Sequence, residues 1–195
     1  VLLLLAVIIV ADRIGYTRRT STVSDSLQTS KALDLEKYHG KIFEVVKVVD
    51  GDTIDIDIPD GKYDHTRIRL WGVDTPETEK SPSGEMYYGD EASAFTKQLT
   101  LDKKVTVYLD KGNDTRGKYG RLLAYVQLDD RSYLNERLLT EGYAYADLRF
   151  SHSFKNKYRQ LEAAARSTKQ GLWRDVTREQ LPTWLQKEKP KLLVK

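Results

Sequence analysis

The run Arg67-Ile68-Arg69-Leu70-Trp71-Gly72-Val73-Asp74-Thr75-Pro76-Glu77 alternates charged and apolar residues as far as Leu70, then closes on the turn signal Asp74-Thr75-Pro76. Alternation at period two marks a strand with one buried face, so residues 65–73 are predicted to form a strand with Ile68 and Leu70 inward. Two cations and two carboxylates therefore crowd the end of one strand. Upstream, Ile54-Asp55-Ile56-Asp57-Ile58 repeats the alternation after an Asp50-Gly51 turn, and the β-branched residues 43–49 precede it. By parity Asp52 shares the apolar face of Ile54 and Ile56, where an acid needs a partner or a metal, while Asp55 and Asp57 fall on the opposite, wet face. Downstream, residues 104–109 and 122–128 read as two more strands.

Helical spacing takes over between and after these strands. Ala92, Phe95 and Leu99 predict a helix over 91–100, and Leu134, Leu138 and Leu139 a short one ended by Gly142. Phe154, Tyr158, Leu161 and Ala165 predict a last helix over 154–170 with Gly171 as terminator. Five short strands with about three helices describe a Greek-key β-barrel of α+β class, the OB-fold.

A chain of 195 residues can bury one core and carry appendages, and 39% hydrophobic residues suit a globular protein. Its net charge of +3, from 32 Lys and Arg against 29 acids, is too balanced to identify a polyanionic partner by itself. With no Cys, a disulfide framework and thiolate metal sites are excluded, which leaves carboxylates and three His as strong ligands. His39, His65 and His152 lack metal-ligand spacing and read as structural. Residues 1–11 are apolar throughout but short of the roughly 20 needed to span a bilayer. They are expected to be the core of a secretory signal peptide or part of a truncated membrane anchor. Arg13, Arg18 and Arg19 would place the chain after an uncleaved anchor on the cytoplasmic side. The expected location is thus secreted or tethered to the membrane at the cell surface, with a cytoplasm-facing anchor as the competing topology. Residues 12–40, rich in Ser and Thr, read as a flexible linker, 41–175 as the folded domain, and 176–195 as a tail without an assigned role.

The acids Asp50, Asp52, Asp74 and Glu77 come from two separate turns, and carboxylates from different strands suit Ca²⁺, which takes six to eight oxygens in flexible geometry. A contiguous EF-hand is excluded, because Pro59 stands where the third ligand of the nearest match belongs. Arg67 or Arg69, together with Arg121, offers guanidinium forks that match phosphate. Residues 112–118 nearly spell a P-loop, but Tyr119 replaces the magnesium-binding hydroxyl and a strand follows instead of a helix, so nucleotide hydrolysis of that kind is rejected. Tyr143, Tyr145, Leu148 and Phe150 are either a stacking wall for bases or core.

Four of these stretches, taken together, carry a resemblance. Residues 49–53 (Val-Asp-Gly-Asp-Thr), 69–77 (Arg-Leu-Trp-Gly-Val-Asp-Thr-Pro-Glu), 88–95 and 118–125 are similar in order and spacing to the thermonuclease family typified by staphylococcal nuclease. The similarity covers residues 43–173. It implies an OB-fold, Ca²⁺-dependent phosphodiesterase that cuts DNA and RNA to 3′-phosphates, expected to act as a monomer. It further implies that Asp52, Asp74 and the Thr75 carbonyl hold Ca²⁺, that Arg69 and Arg121 bind the scissile phosphate, and that Glu77 orients or deprotonates the attacking water. Lys118 and Tyr119 match the family's phosphate-side pair, whereas its two nucleotide-flanking tyrosines align on Leu148 and Phe150, a departure in the substrate wall. The alternative, a catalytically silent OB module that binds nucleic acid or serves as a surface interaction module, is expected to show gaps in this acid and arginine set, and the sequence has none.

Overall fold

The computed structural model describes residues 27–79 and 84–193. Two compact units divide the chain, Val1–Lys37 and Tyr38–Lys195. Residues 27–38 form a helix, α1, within the stretch expected to be linker. Leu27, Gln28, Lys31, Ala32, Leu33, Leu35, Glu36 and Lys37 are strong helix formers and outweigh Thr29 and Ser30, while most of the Ser/Thr bias that suggests a linker lies before them. The signal or anchor reading of residues 1–11, and the linker reading of 12–26, lie outside the described residues. Among the described residues no helix is long and apolar enough to cross a membrane.

In the second unit β1 (Lys41–Val48), β2 (Thr53–Ile56), β3 (Thr66–Leu70), β5 (Lys104–Tyr108) and β6 (Leu122–Gln127) close a barrel in the order β1-β2-β3-β6-β5. This is the expected five-stranded barrel, with helical cover as in the OB-fold of the resemblance. All pairings are antiparallel except β3 with β6, which run parallel with Ile68 opposite Leu122 and Arg69 opposite Leu123. A parallel pair needs a long crossover, supplied here by α2 (Gly89–Thr100) and β5. Ile54, Ile56, Ile68, Val105, Val107, Leu122, Ala124 and Val126 fill the barrel, all buried. Each large aliphatic among them contributes about 1.5–3 kcal/mol by leaving water.

The strand expected over 65–73 is broken. β3 stops at Leu70, Gly72 takes φ +79°, and Val73–Asp74 forms a separate strand, β4, antiparallel to β7 (Tyr145–Ala146). A Cβ at Gly72 would lie 2.4 Å from Cε1 of His152, so glycine is required both for the turn and for the ring packed against it. The break redirects the chain and carries Asp74 away from the barrel staves.

α3 (Leu134–Thr140) and α4 (Lys155–Ser167) cover one side. Asn135 of α3, fully buried, accepts the Val126 N–H at 3.0 Å and donates to the Trp71 carbonyl at 3.0 Å, tying helix, barrel and corner together. Beyond α4 the chain does not trail off. Two 3₁₀ turns, Gly171–Arg174 and Arg178–Gln180, lead to α5 (Thr183–Glu188). Val176, Leu181 and Leu185 pack with Tyr145, Ala165, Leu172 and Trp173 into a second apolar cluster. Lys189 adds a 2.8 Å ion pair to Glu162, a buried carboxylate of α4. The tail is therefore part of the fold, held by apolar residues too widely spaced to give a periodic signal.

Candidate active site

The turn between β1 and β2 supplies Asp50 and Asp52. Gly51 is pressed against Thr75, whose Oγ1 would lie 2.7 Å from an added Cβ, and its carbonyl accepts the Thr96 hydroxyl of α2 at 2.6 Å. Asp52 is buried, with Oδ2 accepting the Thr75 N–H at 2.9 Å and Oδ1 accepting the Thr53 hydroxyl at 3.0 Å. β3 contributes Arg69, whose guanidinium pairs with both Asp52 and Asp74. Asp52, Arg69, Asp74 and Thr75 thus form one contiguous group, drawn from two turns and a strand as the sequence suggests.

Arg67 resolves the other way. It makes a bidentate pair with Asp55 at 2.7 and 2.8 Å, which leaves Asp55 buried and not on a wet face as expected. Asp55 lies opposite Arg67 in the β2–β3 register, and the long arginine stem covers it. Only Arg69 is then aimed at the acids.

Arg121, just before β6, is brought to the same cleft by the parallel pairing. Among the described residues its guanidinium makes one hydrogen bond, a 3.4 Å contact to Thr53 Oγ1, and has no carboxylate within ion-pair distance. Burial lowers the pKa of Arg121, and the neighbouring Arg69 and Arg67 lower it further against the opposing pull of Asp50 and Glu77. Burial likewise pushes the Asp50 carboxyl up, opposed by Arg69, Thr53 and Arg121. Among the described residues Arg121 is thus a half-buried guanidinium that no carboxylate pairs directly, within the field of a second guanidinium.

These groups line a cleft of about 1050 Å³ shared by Asp50, Arg69, Asp74, Glu77, Lys118, Tyr119, Arg121 and Phe150. Glu77 is set at its edge by α2: its carbonyl accepts the Met86 N–H at 2.9 Å and touches Gly89, where a Cβ would come within 2.1 Å of that oxygen. Lys118 and Arg121 both lie over the Tyr119 ring, at 5.5 and 6.0 Å. Tyr119 and Phe150 are 77% and 51% exposed, so two open aromatic faces border the cleft. The rest of the expected stacking wall is engaged within the protein: half-buried Tyr143 stacks on Phe95 at 4.1 Å, and Tyr145 is fully buried against Trp173. Leu148 does not line the cleft.

Sequence reasoning missed three residues. Asp147 holds Arg149 through two 2.8 Å bonds, and Arg149 reaches to 3.7 Å from Asp74. Trp184 of α5 donates its indole N–H to Asp74 Oδ2 at 2.7 Å. None belongs to a periodic pattern, and Trp184 lies 110 residues from its partner.

Fitness for a cation follows from the donor set. Asp52 and Asp74 already share one positive charge, that of Arg69, and both are hard oxygen ligands. Among the described residues no three His, Asp or Glu side chains gather at one point. A divalent ion would therefore take these two carboxylates and complete its shell with carbonyl, water and phosphate oxygens, as suits a hard cation that keeps open positions.

Comparison with known proteins places the chain among relatives. The family model described as staphylococcal nuclease homologue matches residues 67–175. Thermonuclease of Staphylococcus hyicus is 38% identical over 144 residues, which are 73% of this chain and 82% of that protein. Thermonuclease of Staphylococcus intermedius is 39% identical over 145 residues, 74% of this chain and 77% of the relative. Endonuclease YncB of Bacillus subtilis is 43% identical over 129 residues, 65% of this chain and 59% of that protein. By the extent of the family match and by relatives aligned over most of their length, the chain belongs to the family of staphylococcal nuclease homologues.

Proposed function

We propose that this chain is a nuclease, a hydrolase that cuts phosphodiester bonds of DNA and RNA to 3′-phosphate products with Ca²⁺ as cofactor, acting as a monomer. The observation that carries this reading is Arg121, a half-buried guanidinium with no carboxylate partner among the described residues, opening on the same cleft as Arg69, Asp74 and Glu77, with buried Asp52 paired to Arg69. Unpaired positive charge next to paired acids suits a phosphate that gains negative charge as it reacts. The names of the relatives, thermonuclease and endonuclease, support the same chemistry.

Asp52, Asp74 and the Thr75 carbonyl would hold the ion. When bound, Ca²⁺ supplies Lewis-acid polarisation of a non-bridging phosphate oxygen. Arg69 and Arg121 grip the phosphate with two forks and neutralise the charge that grows as the water oxygen bonds to phosphorus and the bond to the 5′-oxygen breaks. Glu77 orients that water and accepts its proton, and the departing 5′-oxygen takes a proton from solvent to leave as a hydroxyl. Tyr119 and Phe150 offer faces for the flanking bases, and Lys118 adds backbone attraction.

Nicking of supercoiled plasmid by the purified chain, with Ca²⁺ or with excess EGTA, tests the proposal. Cleavage is expected only with Ca²⁺, and Arg121→Ala is expected to lose about 10²–10³ in turnover. Intact plasmid in Ca²⁺ would leave a binding module, and undiminished cleavage in EGTA would remove the cofactor.

A further inference from the structure

We infer that the C-terminal segment is a working part of the active site and that Trp184 is a positioning residue for Asp74. The inference rests on the reading of Asp74 as a cation ligand given above. It concerns residues beyond 175, where the family match ends.

The two oxygens of Asp74 have divided tasks. Oδ1 faces Arg69, and Oδ2 accepts the Trp184 indole N–H at 2.7 Å. A carboxylate tethered through one oxygen keeps the plane in which the other oxygen meets its cation. Packing alone does not demand this bond. Trp71 and Trp173 are also packed against the protein, and their buried indole nitrogens have no hydrogen-bond partner. Trp184, from a segment distant in sequence, places its donor on the one oxygen of Asp74 that Arg69 leaves open.

The ring has a second task. Arg149 lies 4.2 Å over its face, and the same guanidinium is forked by Asp147 and stands 3.7 Å from Asp74 Oδ2. Trp184 therefore supports Asp74 directly through its N–H and indirectly by fixing Arg149. Leu181 and Leu185, both buried, and the Lys189–Glu162 pair anchor the segment from which it projects. Partners that orient a metal ligand typically change metal affinity by roughly 10- to 100-fold when removed.

Calcium binding to the full chain, followed by titration calorimetry, separates this from a merely structural role. Trp184→Phe keeps the ring and its stacking on Arg149 but deletes the donor. It is expected to weaken Ca²⁺ binding about tenfold with a thermal midpoint close to that of the wild type. Lys189→Ala removes the ion pair to Glu162 but leaves buried Leu181 and Leu185 to hold Trp184 in place, so it is expected to lower the midpoint and leave Ca²⁺ affinity within about twofold. Equal affinity in Trp184→Phe and wild type, or an equal loss in Lys189→Ala, would overturn the inference. Absence of Ca²⁺ binding by the wild type would overturn the calcium reading and this inference with it, so the two failures are told apart by the wild-type titration. Should Trp184→Phe fail to fold, the wild-type chain carries the test: Ca²⁺ should shift the Trp184 indole N–H resonance more than those of Trp71 and Trp173, and an unmoved signal would refute it.

Discussion

Replacing Gly89 by alanine should disable the site without touching any group that meets substrate. The added Cβ would lie 2.1 Å from the Glu77 carbonyl oxygen and 2.7 Å from its carbonyl carbon. Both neighbours are backbone, so no side chain can swing aside. Relief requires the Glu77 segment to retreat by roughly 1 Å, and a misplacement of that size can cost on the order of 10²-fold in rate. The same retreat stretches the Met86 N–H bond to the Glu77 carbonyl, now 2.9 Å, which predicts a stability loss of about 1–3 kcal/mol. Single-turnover cleavage of a labelled oligonucleotide at saturating enzyme isolates the chemical step, with urea unfolding alongside to confirm that the variant is folded. A double-mutant cycle sharpens the cause: Glu77→Gln should cost much less in the Gly89→Ala background than in the wild type, because the carboxylate is already out of place. Gly89→Ala cleaving within threefold of wild type, or full additivity with Glu77→Gln, would refute the assignment of Gly89 as the stop against which Glu77 is set.

Two further predictions concern the frame that carries the site. Acidification should destabilise the protein in two stages. Burial holds the His152 pKa below its ordinary 6.5, aided by Lys155 and opposed by Asp110 and Asp147. A folded pKa below the unfolded one means that its contribution is complete above pH 6.5 and is lost as pH falls through the folded value. For Asp110, burial raises the pKa, but donors from Ser153, Gly112 and Tyr125 outweigh it and hold the carboxyl below the ordinary 3.8. Its contribution is lost only below that pH. Urea midpoints measured from pH 8 to pH 3 should show both stages, with His152→Gln removing the upper one. Gly72→Ala should cost about 2–4 kcal/mol, from the left-handed φ and from the His152 ring in its path, and His152→Ala in the same chain should recover part of that loss in a chemical unfolding curve.

The barrel was legible because its strands carry period-two alternation and its turns carry Asp-Gly and Asp-Thr-Pro signals. The acid and arginine set was legible because the order and spacing of whole motifs are specific. What escaped has common physical causes. Gly72 sits inside an apolar run, and nothing in Leu70-Trp71-Gly72-Val73 shows that the backbone turns left-handed there to admit a histidine from far along the chain. The burial of Asp55 depends on a cross-strand arginine, so parity gave the wrong surroundings even though the strand was right. The docking of residues 176–189 depends on isolated apolar residues finding a surface made by α4 and the segment before it, and such long-range pairs leave no local trace. Trp184 belongs to this last class, as does Arg149, whose role is set by the ring above it.

The one parallel pairing in the barrel also has a kinetic meaning. Arg69 lies on β3 and Arg121 directly precedes β6, so the two guanidiniums proposed to grip phosphate reach one cleft only after about fifty intervening residues have crossed over and the sheet has closed. Contacts of such separation are slow to form, because the entropy of closing the loop is lost before the contact repays it. The Asp52 turn and the β2–β3 hairpin can assemble early from neighbouring residues, but they carry only half of the proposed phosphate grip. On the proposed mechanism, a chain still emerging or only partly folded therefore holds its acids without its second guanidinium, and it gains the power to cut nucleic acid at the step that completes the barrel.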